Sequence, residues 1–258
     1  ALVPPAWEGA HLRQADLEFE FGRDPTKTLE RAILDLSFGL ERFPMVARAW
    51  QDRSSAYINL ANARAARGED PRGEYRRAIE DLDRCVALEP EDVLSLCDRA
   101  SAYTALAEAE QARGGASREA LERAVTECDE VIKNDPGCPT VWTNRGAARL
   151  ALSREATMGP EDALAHLDRA IEDFGGAVSV SPGRPESHVF RARARARKAK
   201  ALADAGQDAA PCVRDAFTDI ETAIDAGWRD AAALRGELDL QPLHSDPRWE
   251  ELLGRIPK

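Results

Sequence analysis

Four prolines in this sequence are separated by one constant interval. Pro44, Pro90, Pro136 and Pro182 follow one another in steps of 46 residues. A single globular fold does not require such a spacing, whereas an array of stacked, self-similar units produces it. The interval therefore predicts a repeat array and favours an extended, repetitive surface over a single catalytic pocket.

The residues that precede each proline form the apolar face of a helix. Alanine stands twelve positions before each proline, and apolar residues or cysteine stand eight and four positions before it. Steps of four place these columns on one helical face. The helix must end near the proline, which lacks an N–H and restricts the residue before it. The columns, continued into a fifth unit, are Ala32, Ala78, Ala124, Ala170 and Ala216, then Leu36, Leu82, Cys128, Phe174 and Ile220, then Leu40, Val86, Ile132, Val178 and Ile224.

A second helix is predicted to follow each proline. The residues six positions after it are mostly large, those ten positions after it are small, and those thirteen positions after it are tyrosine or arginine. A small residue suits the place where a neighbouring helix approaches closely, so each unit is predicted to be a helix–turn–helix hairpin that stacks on its neighbours. The columns are Trp50, Leu96, Trp142, His188 and Leu234, then Ser54, Ala100, Gly146 and Ala192, then Tyr57, Tyr103, Arg149 and Arg195.

The pattern within the units resembles the tetratricopeptide repeat. Trp142, Gly146, Ala170, Phe174 and Pro182 stand in the order of that family's tryptophan, small residue, alanine, phenylalanine and proline. The resemblance covers about residues 45–228. It implies an all-α fold, a right-handed superhelical solenoid of helix–turn–helix hairpins with a C-terminal capping helix. HEAT or armadillo repeats, with a period in the forties, are an alternative, but these columns are not theirs.

The period is longer than the usual tetratricopeptide length of about 34 residues. The extra residues lie between the tyrosine and alanine columns, so the first helix of each unit is predicted to run long. It is expected to stop at four turn-rich segments, 68–71, 114–117, 158–160 and 206–208. In the fifth unit, Gly227 is expected to end the second helix, because Trp228 stands where the next proline would fall.

The whole chain, residues 1–258, is predicted to form one array. Its predicted parts are an atypical first hairpin in about 1–44, repeat units 45–90, 91–136, 137–182 and 183–228, and a C-terminal cap in 229–258. Within the cap, Asp246 is a good helix N-cap and Pro247 suits the first turn. We therefore expect a short helix there that covers the apolar face of the last hairpin.

Composition argues against several classes of function. The formal net charge of −11 argues against nucleic-acid partners, and no apolar run approaches the length of a membrane span. The four histidines lack metal-ligand spacing and no phosphate-loop motif occurs, so neither an enzyme nor a cofactor is expected. The five cysteines include no Cys-x-x-Cys pair, and we interpret them as free thiols in a reducing, cytoplasmic compartment.

The resemblance implies that the first helices line a concave groove for an extended peptide or a partner helix. The groove would be acidic and polar in the early units and basic in the last, unless these are merely solvated helix positions. Asp52 and Asp98 would repel a carboxylate, so a clamp for the C-terminal tail of a chaperone is not expected. The candidate contact residues are Arg48, Gln51, Asp52, Ser55, Asn59, Asp98, Ser101, Thr143, Asn144, Arg193, Arg197 and Lys200.

The segment Arg191–Lys200 carries six cations in ten residues. Helical geometry separates them into two stripes: Arg191, Arg195 and Lys198 facing the core, and Arg193, Arg197 and Lys200 facing the groove. The second stripe suits a phosphate, an acidic peptide or RNA. The favoured interpretation is that the cations balance acidic neighbours such as Asp215, Asp219 and Glu221, because the segment has no aromatic residues for nucleic acid.

Two hypotheses of function are retained. The first is a non-enzymatic protein–protein interaction scaffold that binds a protein or peptide in its concave groove. The second is a regulatory C-terminal region of a larger bacterial signalling enzyme, such as a Ser/Thr kinase. It is based on the absence of Met at residue 1 and on the Asp246–Leu253 ending, which resembles the ends of tetratricopeptide arrays attached to such kinases.

Overall fold

The structure, a computed structural model, describes residues 10–115, 117–155 and 157–256. All regular elements in these ranges are helices, twelve α-helices and one 3₁₀ helix. The 3₁₀ helix spans Leu238–Leu243. The α-helices are α1 (Ala10–Glu20), α2 (Thr26–Arg42), α3 (Ala47–Ala66), α4 (Arg72–Leu88), α5 (Val93–Gln111), α6 (Arg118–Asn134), α7 (Pro139–Leu152), α8 (Pro160–Val180), α9 (Pro185–Asp204), α10 (Ala210–Asp225), α11 (Ala231–Gly236) and α12 (Arg248–Gly254).

The helices pack in chain order within two compact units, residues 1–127 and 128–258. In the first unit, α1, α2, α3 and α4 each pack on the helix that follows. In the second unit, α7, α8 and α9 do the same, and the 3₁₀ helix lies against α9. The predicted all-α helical repeat is thus confirmed, and α1 supplies a first helix that the sequence pattern did not place.

The prolines end the helices as predicted. The helices α2, α4, α6 and α8 each end two residues before one of the four prolines. Helix α10 ends at Asp225, and Gly227 follows with a φ of +111°. The N–H of Trp228 donates to the carbonyl of Ala223 at 2.9 Å, which closes the helix end in the absence of a proline.

The predicted elongation of the first helices holds for three of the repeat units. Helices α3, α5 and α9 contain 20, 19 and 20 residues, and they end at the turn-rich segments. Helix α7 contains only 14 residues and ends well before residue 158. Beyond it, the N–H groups of Arg154, Glu155 and Met158 bond to carbonyls three residues back, so separate turns replace the last part of the helix.

One predicted core column is shifted by one residue in three of its five units. The alanine column and the column eight residues before the prolines are buried. Four residues before, Leu40 and Ile224 are buried as predicted, but Val86, Ile132 and Val178 are only half-buried. The buried column lies five residues before, and includes Cys85, Val131, Ala177 and Ala223. The reason is helical geometry. A residue seven positions after the alanine column points within about 20° of the same direction as the alanine, whereas a residue eight positions after it points about 80° away.

The small column of the first helices is required by close packing. Gly146 of α7 faces Phe174 of α8, and a Cβ atom at Gly146 would lie 2.7 Å from Cε1 of that ring. Gly176 of α8 meets Trp142 of α7 in the same way, at 2.7 Å from Cε3. The hairpin α7–α8 is therefore interlocked by two glycine–aromatic contacts in opposite directions.

The C-terminal elements complete the core of the second unit. Leu240, Leu243 and Trp249 are buried together with Phe217 and Ile220 of α10. The side chain of Asp246 accepts a hydrogen bond from the N–H of Arg248 at 3.0 Å, at the start of α12. Within the described ranges, no helix is both long and apolar enough to cross a membrane.

Candidate binding groove

One arginine in each repeat unit joins its two helices. It lies nine residues after the proline and binds a carboxylate 28 residues further on, in the second helix of its unit. The pairs are Arg53–Asp81 at 2.6 Å, Arg99–Glu127 at 3.0 Å, Arg145–Asp173 at 2.6 Å and Arg191–Asp219 at 2.6 Å. Of these carboxylates only Asp219 was named from the sequence, although both columns repeat with the 46-residue period.

Three of these arginines also reach back to the preceding hairpin. Arg53 donates to Ser37 Oγ at 2.9 Å, Arg99 to Asp83 at 2.7 Å, and Arg145 to Asp129 at 2.5 Å. The hydrogen bonds to Asp81 raise the pKa of Arg53, while burial raises the pKa of the Asp81 carboxyl. Because the guanidinium stays charged at any ordinary pH, the carboxylate is the group of the pair that titrates. These side chains hold the hairpins together and are not available to a ligand.

At three of the four prolines, the residue six positions later anchors the proline turn. Indole Nε1 of Trp50 donates to the carbonyl of Pro44, and that of Trp142 to the carbonyl of Pro136, both at 2.9 Å. Nε2 of His188 takes the equivalent place, 3.1 Å from the carbonyl of Pro182. These residues too are part of the repeat architecture.

Four of the predicted contact residues lie together in the first unit. Arg48, Asp52, Ser55 and Asn59 of α3 line a groove of about 480 Å³. Its other lining residues come from α1: Leu12, Arg13 and Asp16. These three residues could not be placed from the repeat spacing, because α1 precedes the first proline.

The charges along this groove nearly balance. Nε of Arg48 lies 2.9 Å from Oδ1 of Asp52, one turn away on α3.

The side chain of Gln51 is buried and hydrogen-bonded to Asp98 of α5. Burial raises the pKa of the half-buried Asp98 carboxyl, against the opposing effects of that hydrogen bond and of Arg48. Ser101 is exposed on α5 and is not part of the groove lining.

The other predicted residues belong to the second unit. Thr143 and Asn144 are half-buried on α7, and the Thr143 hydroxyl donates to the carbonyl of Pro139 at 3.0 Å. Lys200 is exposed on α9 and pairs with Asp204 at 2.8 Å.

The arginine-rich segment is largely neutralised within the chain. Arg191 and Arg195 both bind the predicted partner Asp219, at 2.6 Å. Lys198 binds Asp168, and Arg195 also donates to the backbone carbonyl of Asp215 at 3.1 Å. Asp219 thus pairs with the core-facing Arg191 and Arg195 and not with the groove-facing stripe, Asp215 contributes a carbonyl, and Asp168, unforeseen in the sequence, contributes a carboxylate.

The known proteins that this chain resembles are similar in structure and not in sequence. No protein-family model and no curated protein matches the sequence. MamA residues 41 to the end from Desulfovibrio magneticus RS-1 match with a TM-score of 0.55 at 14% identity, over 88% of this chain and 100% of that chain. A double mutant of MamA RS-1 matches with a TM-score of 0.54 at 14% identity, over 87% of this chain and 99% of that chain. PilF from Pseudomonas aeruginosa matches with a TM-score of 0.50 at 17% identity, over 97% of this chain and 91% of that chain.

These neighbours are tetratricopeptide repeat proteins. Together with the helix packing described above, the match shows that this chain has a tetratricopeptide-like helical repeat fold. At such low sequence identity the likeness concerns the fold alone.

Proposed function

We propose that this chain is a non-enzymatic protein-binding scaffold that holds a peptide or a partner helix in the groove lined by α1 and α3. The observation that carries the proposal is the groove itself. Four residues selected from the repeat pattern line one open groove of about 480 Å³ in the first unit. That volume lies within the range of ordinary ligand sites, about 300–1,000 Å³.

The lining of the groove suggests the kind of segment that it binds. Arg13 and Arg48 are matched in number by Asp16 and Asp52, so the groove has no formal excess of either charge. Ser55 and Asn59 add neutral hydrogen-bonding groups, and Leu12 adds an apolar contact. We expect a neutral or mixed-charge segment, bound with specificity from hydrogen bonds and with little dependence on salt.

A pair of matched variants tests the groove. After a partner is isolated by pull-down, its binding segment is titrated calorimetrically into the wild-type chain and into Ser55→Arg. Thr126→Arg is the control, because both hydroxyls donate to the carbonyl four residues back and Thr126 is exposed outside the groove. Ser55→Arg places a long cation in the groove and is expected to weaken binding at least tenfold, whereas the control is expected to bind as the wild type does.

The groove assignment is wrong if Ser55→Arg and Thr126→Arg bind the segment equally well. Melting temperatures of both variants show that the comparison is made between folded proteins. A strong decline in affinity with salt would contradict the expected neutral or mixed-charge segment without removing the groove.

The second hypothesis, a regulatory region of a larger signalling enzyme, stays a prediction. The ending on which it was based has a structural role in the second unit. Asp246 accepts a hydrogen bond from the N–H of Arg248, the guanidinium of Arg248 lies 4.1 Å from the ring centroid of Phe217, and Trp249 is buried. Packing explains this short motif without any reference to a kinase.

A further inference from the structure

A buried carboxylate near the end of the chain is held by arginines from two parts of the second unit. Asp239 lies in the 3₁₀ helix, and its side chain is only 2% exposed. Its Oδ2 atom accepts hydrogen bonds from Arg154, which follows α7, and from Nη2 of Arg193 in α9. Glu237 lies beside the same cluster, with Oε2 at 3.1 Å from Nε of Arg193. The chain's own acidic segment therefore neutralises Arg193.

Arg197, one turn further along α9, is paired with the same carboxylate only at a longer distance. Its Nε donates to Ser153 Oγ at 3.2 Å. Oδ1 of Asp239 is 3.7 Å from its Nη1, which is too far for a hydrogen bond. The Arg197 side chain is 31% exposed, so part of it is in contact with the solvent.

One carboxylate is shared by three arginines around Arg197. The anion next to it, Asp239, is shared with Arg154 and Arg193, and Arg154 is itself a neighbouring cation. Burial and the charge of Arg154 lower the pKa of Arg197 against the opposing effect of Asp239. A half-buried guanidinium with too little negative charge around it gains free energy when a ligand supplies an anion.

We propose that Arg197, with Arg154 and Ser153 beside it, binds a side-chain carboxylate of an acidic peptide from a partner protein. A carboxylate matches the two parallel donors of a guanidinium and supplies one negative charge. A dianionic phosphate suits the site less well, because the Asp239 carboxylate nearby would repel its second charge. The site belongs to the second unit and does not depend on the groove proposed above.

The full chain is used for the test, with three defined probes. These are an acetylated and amidated hexaglutamate peptide, the equivalent hexaglutamine peptide, and inorganic phosphate at matched ionic strength. Binding is followed by calorimetry and by the NMR signals of the arginine Nε–H groups. Arg197→Gln is compared with Arg214→Gln, a control whose side chain is 69% exposed and 3.6 Å from a carboxylate of its own.

We expect hexaglutamate to bind the wild type and to shift the Arg197 signal. Arg197→Gln is expected to weaken this binding at least tenfold, while Arg214→Gln binds as the wild type does and hexaglutamine does not bind. Ser55→Arg, which tests the groove of the first unit, is expected to leave the Arg197 response unchanged. The two proposals can thus fail independently.

Three results would overturn the proposal. They are no binding of hexaglutamate by the wild type, equal binding by Arg197→Gln, and tighter binding of phosphate than of hexaglutamate. If Arg197→Gln melts at a lower temperature than the wild type, Arg197→Lys is used instead. It keeps the charge but loses the planar pair of donors, and is expected to bind hexaglutamate more weakly than the wild type. Equal binding by a folded Arg197→Lys would likewise remove the assignment.

Discussion

Arg145 and Asp173 are 28 residues apart in the sequence and are joined by two hydrogen bonds. Nε and Nη2 of Arg145 both donate to Oδ1 of Asp173, at 3.0 and 2.6 Å. Arg149 donates to the other oxygen of the same carboxylate at 2.6 Å, and the Asp173 side chain is 1% exposed. This contact fastens α7 to α8, and the arginine–carboxylate pair recurs in the other repeat units.

The repeated pairs should differ in how much each arginine contributes to the free energy of unfolding, according to how many arginines share the carboxylate. Arg53 is the arginine bound to the buried Asp81, so Arg53→Leu leaves a buried charge without compensation and is expected to cost about 3 kcal/mol in the free energy of unfolding. Arg145→Leu is expected to cost less, because Arg149 still binds Asp173. Urea denaturation of both variants measures the difference.

Arg31→Leu is the control for this comparison. Arg31 forms an exposed pair with Asp35 within one helix, and such pairs contribute at most about 0.5 kcal/mol. A loss of stability for Arg53→Leu as small as that for Arg31→Leu would contradict the structural importance of the repeated pairs.

Gly146→Ala is expected to destabilise the second unit. The added Cβ would lie 2.7–2.9 Å from three atoms of the Phe174 ring, so the ring must move within a closely packed core, at a cost of about 1–3 kcal/mol. Phe174→Leu is expected to relieve part of that clash in the double variant. Gly73→Ala in α4 is the control, because its Cβ would meet no atom within 4 Å and alanine favours a helix. Thermal unfolding should show opposite shifts for the two single variants.

Gly227→Ala is expected to weaken the end of α10. Gly227 has a φ of +111°, a conformation that costs a residue with a Cβ about 1–3 kcal/mol. Gly236→Ala, at the end of α11, is a suitable control because its added Cβ meets no atom within 4 Å. Equal melting temperatures for Gly227→Ala and the wild type would show that the turn relaxes without strain.

Asp98→Asn is expected to stabilise the protein at neutral pH. Burial raises the pKa of this carboxyl above its ordinary value of about 3.9. A raised pKa means that the folded state holds the proton more tightly than the unfolded state. The contribution of Asp98 to stability is therefore present below pH 3.9 or so and is lost as the pH rises through the raised pKa.

Melting temperatures between pH 4 and 8 test this expectation. The advantage of Asp98→Asn over the wild type should grow as the pH rises and then level off, since asparagine does not titrate and still accepts a hydrogen bond from Gln51. A constant difference across this range would mean that the Asp98 carboxyl has an ordinary pKa in the folded protein.

The elements of the fold could be predicted because their determinants are local. The prolines end α2, α4, α6 and α8 by removing an N–H, and Gly227 ends α10 by its positive φ. The buried alanine column also followed from spacing alone. The early end of α7 at Leu152 was not predicted, because the sequence shows its turn-rich segment only at residues 158–160.

The candidate sites could be predicted only in part. The resemblance implied that Arg48, Gln51, Asp52, Ser55 and Asn59 face a groove, and all of these except the buried Gln51 line one groove beside α3. It could not find Leu12, Arg13 or Asp16, because the packing of α1 beside α3 is not encoded in the proline register. The assignment of these residues to a partner remains a proposal.

The sequence by itself determined the hairpins of this protein: where helices end, which face is apolar, and where only a small residue fits. These properties depend on backbone chemistry and on residues within about two turns of each other. The tertiary structure alone decided which charges remain available. Arg193 and Arg197 are adjacent on one stripe, yet Arg193 is held by Glu237 and Asp239 while Arg197 reaches Asp239 only at 3.7 Å. Packing brings Asp239 to Arg193 from 46 residues away along the chain, and electrostatic compensation depends on distance in space, not on spacing along the chain.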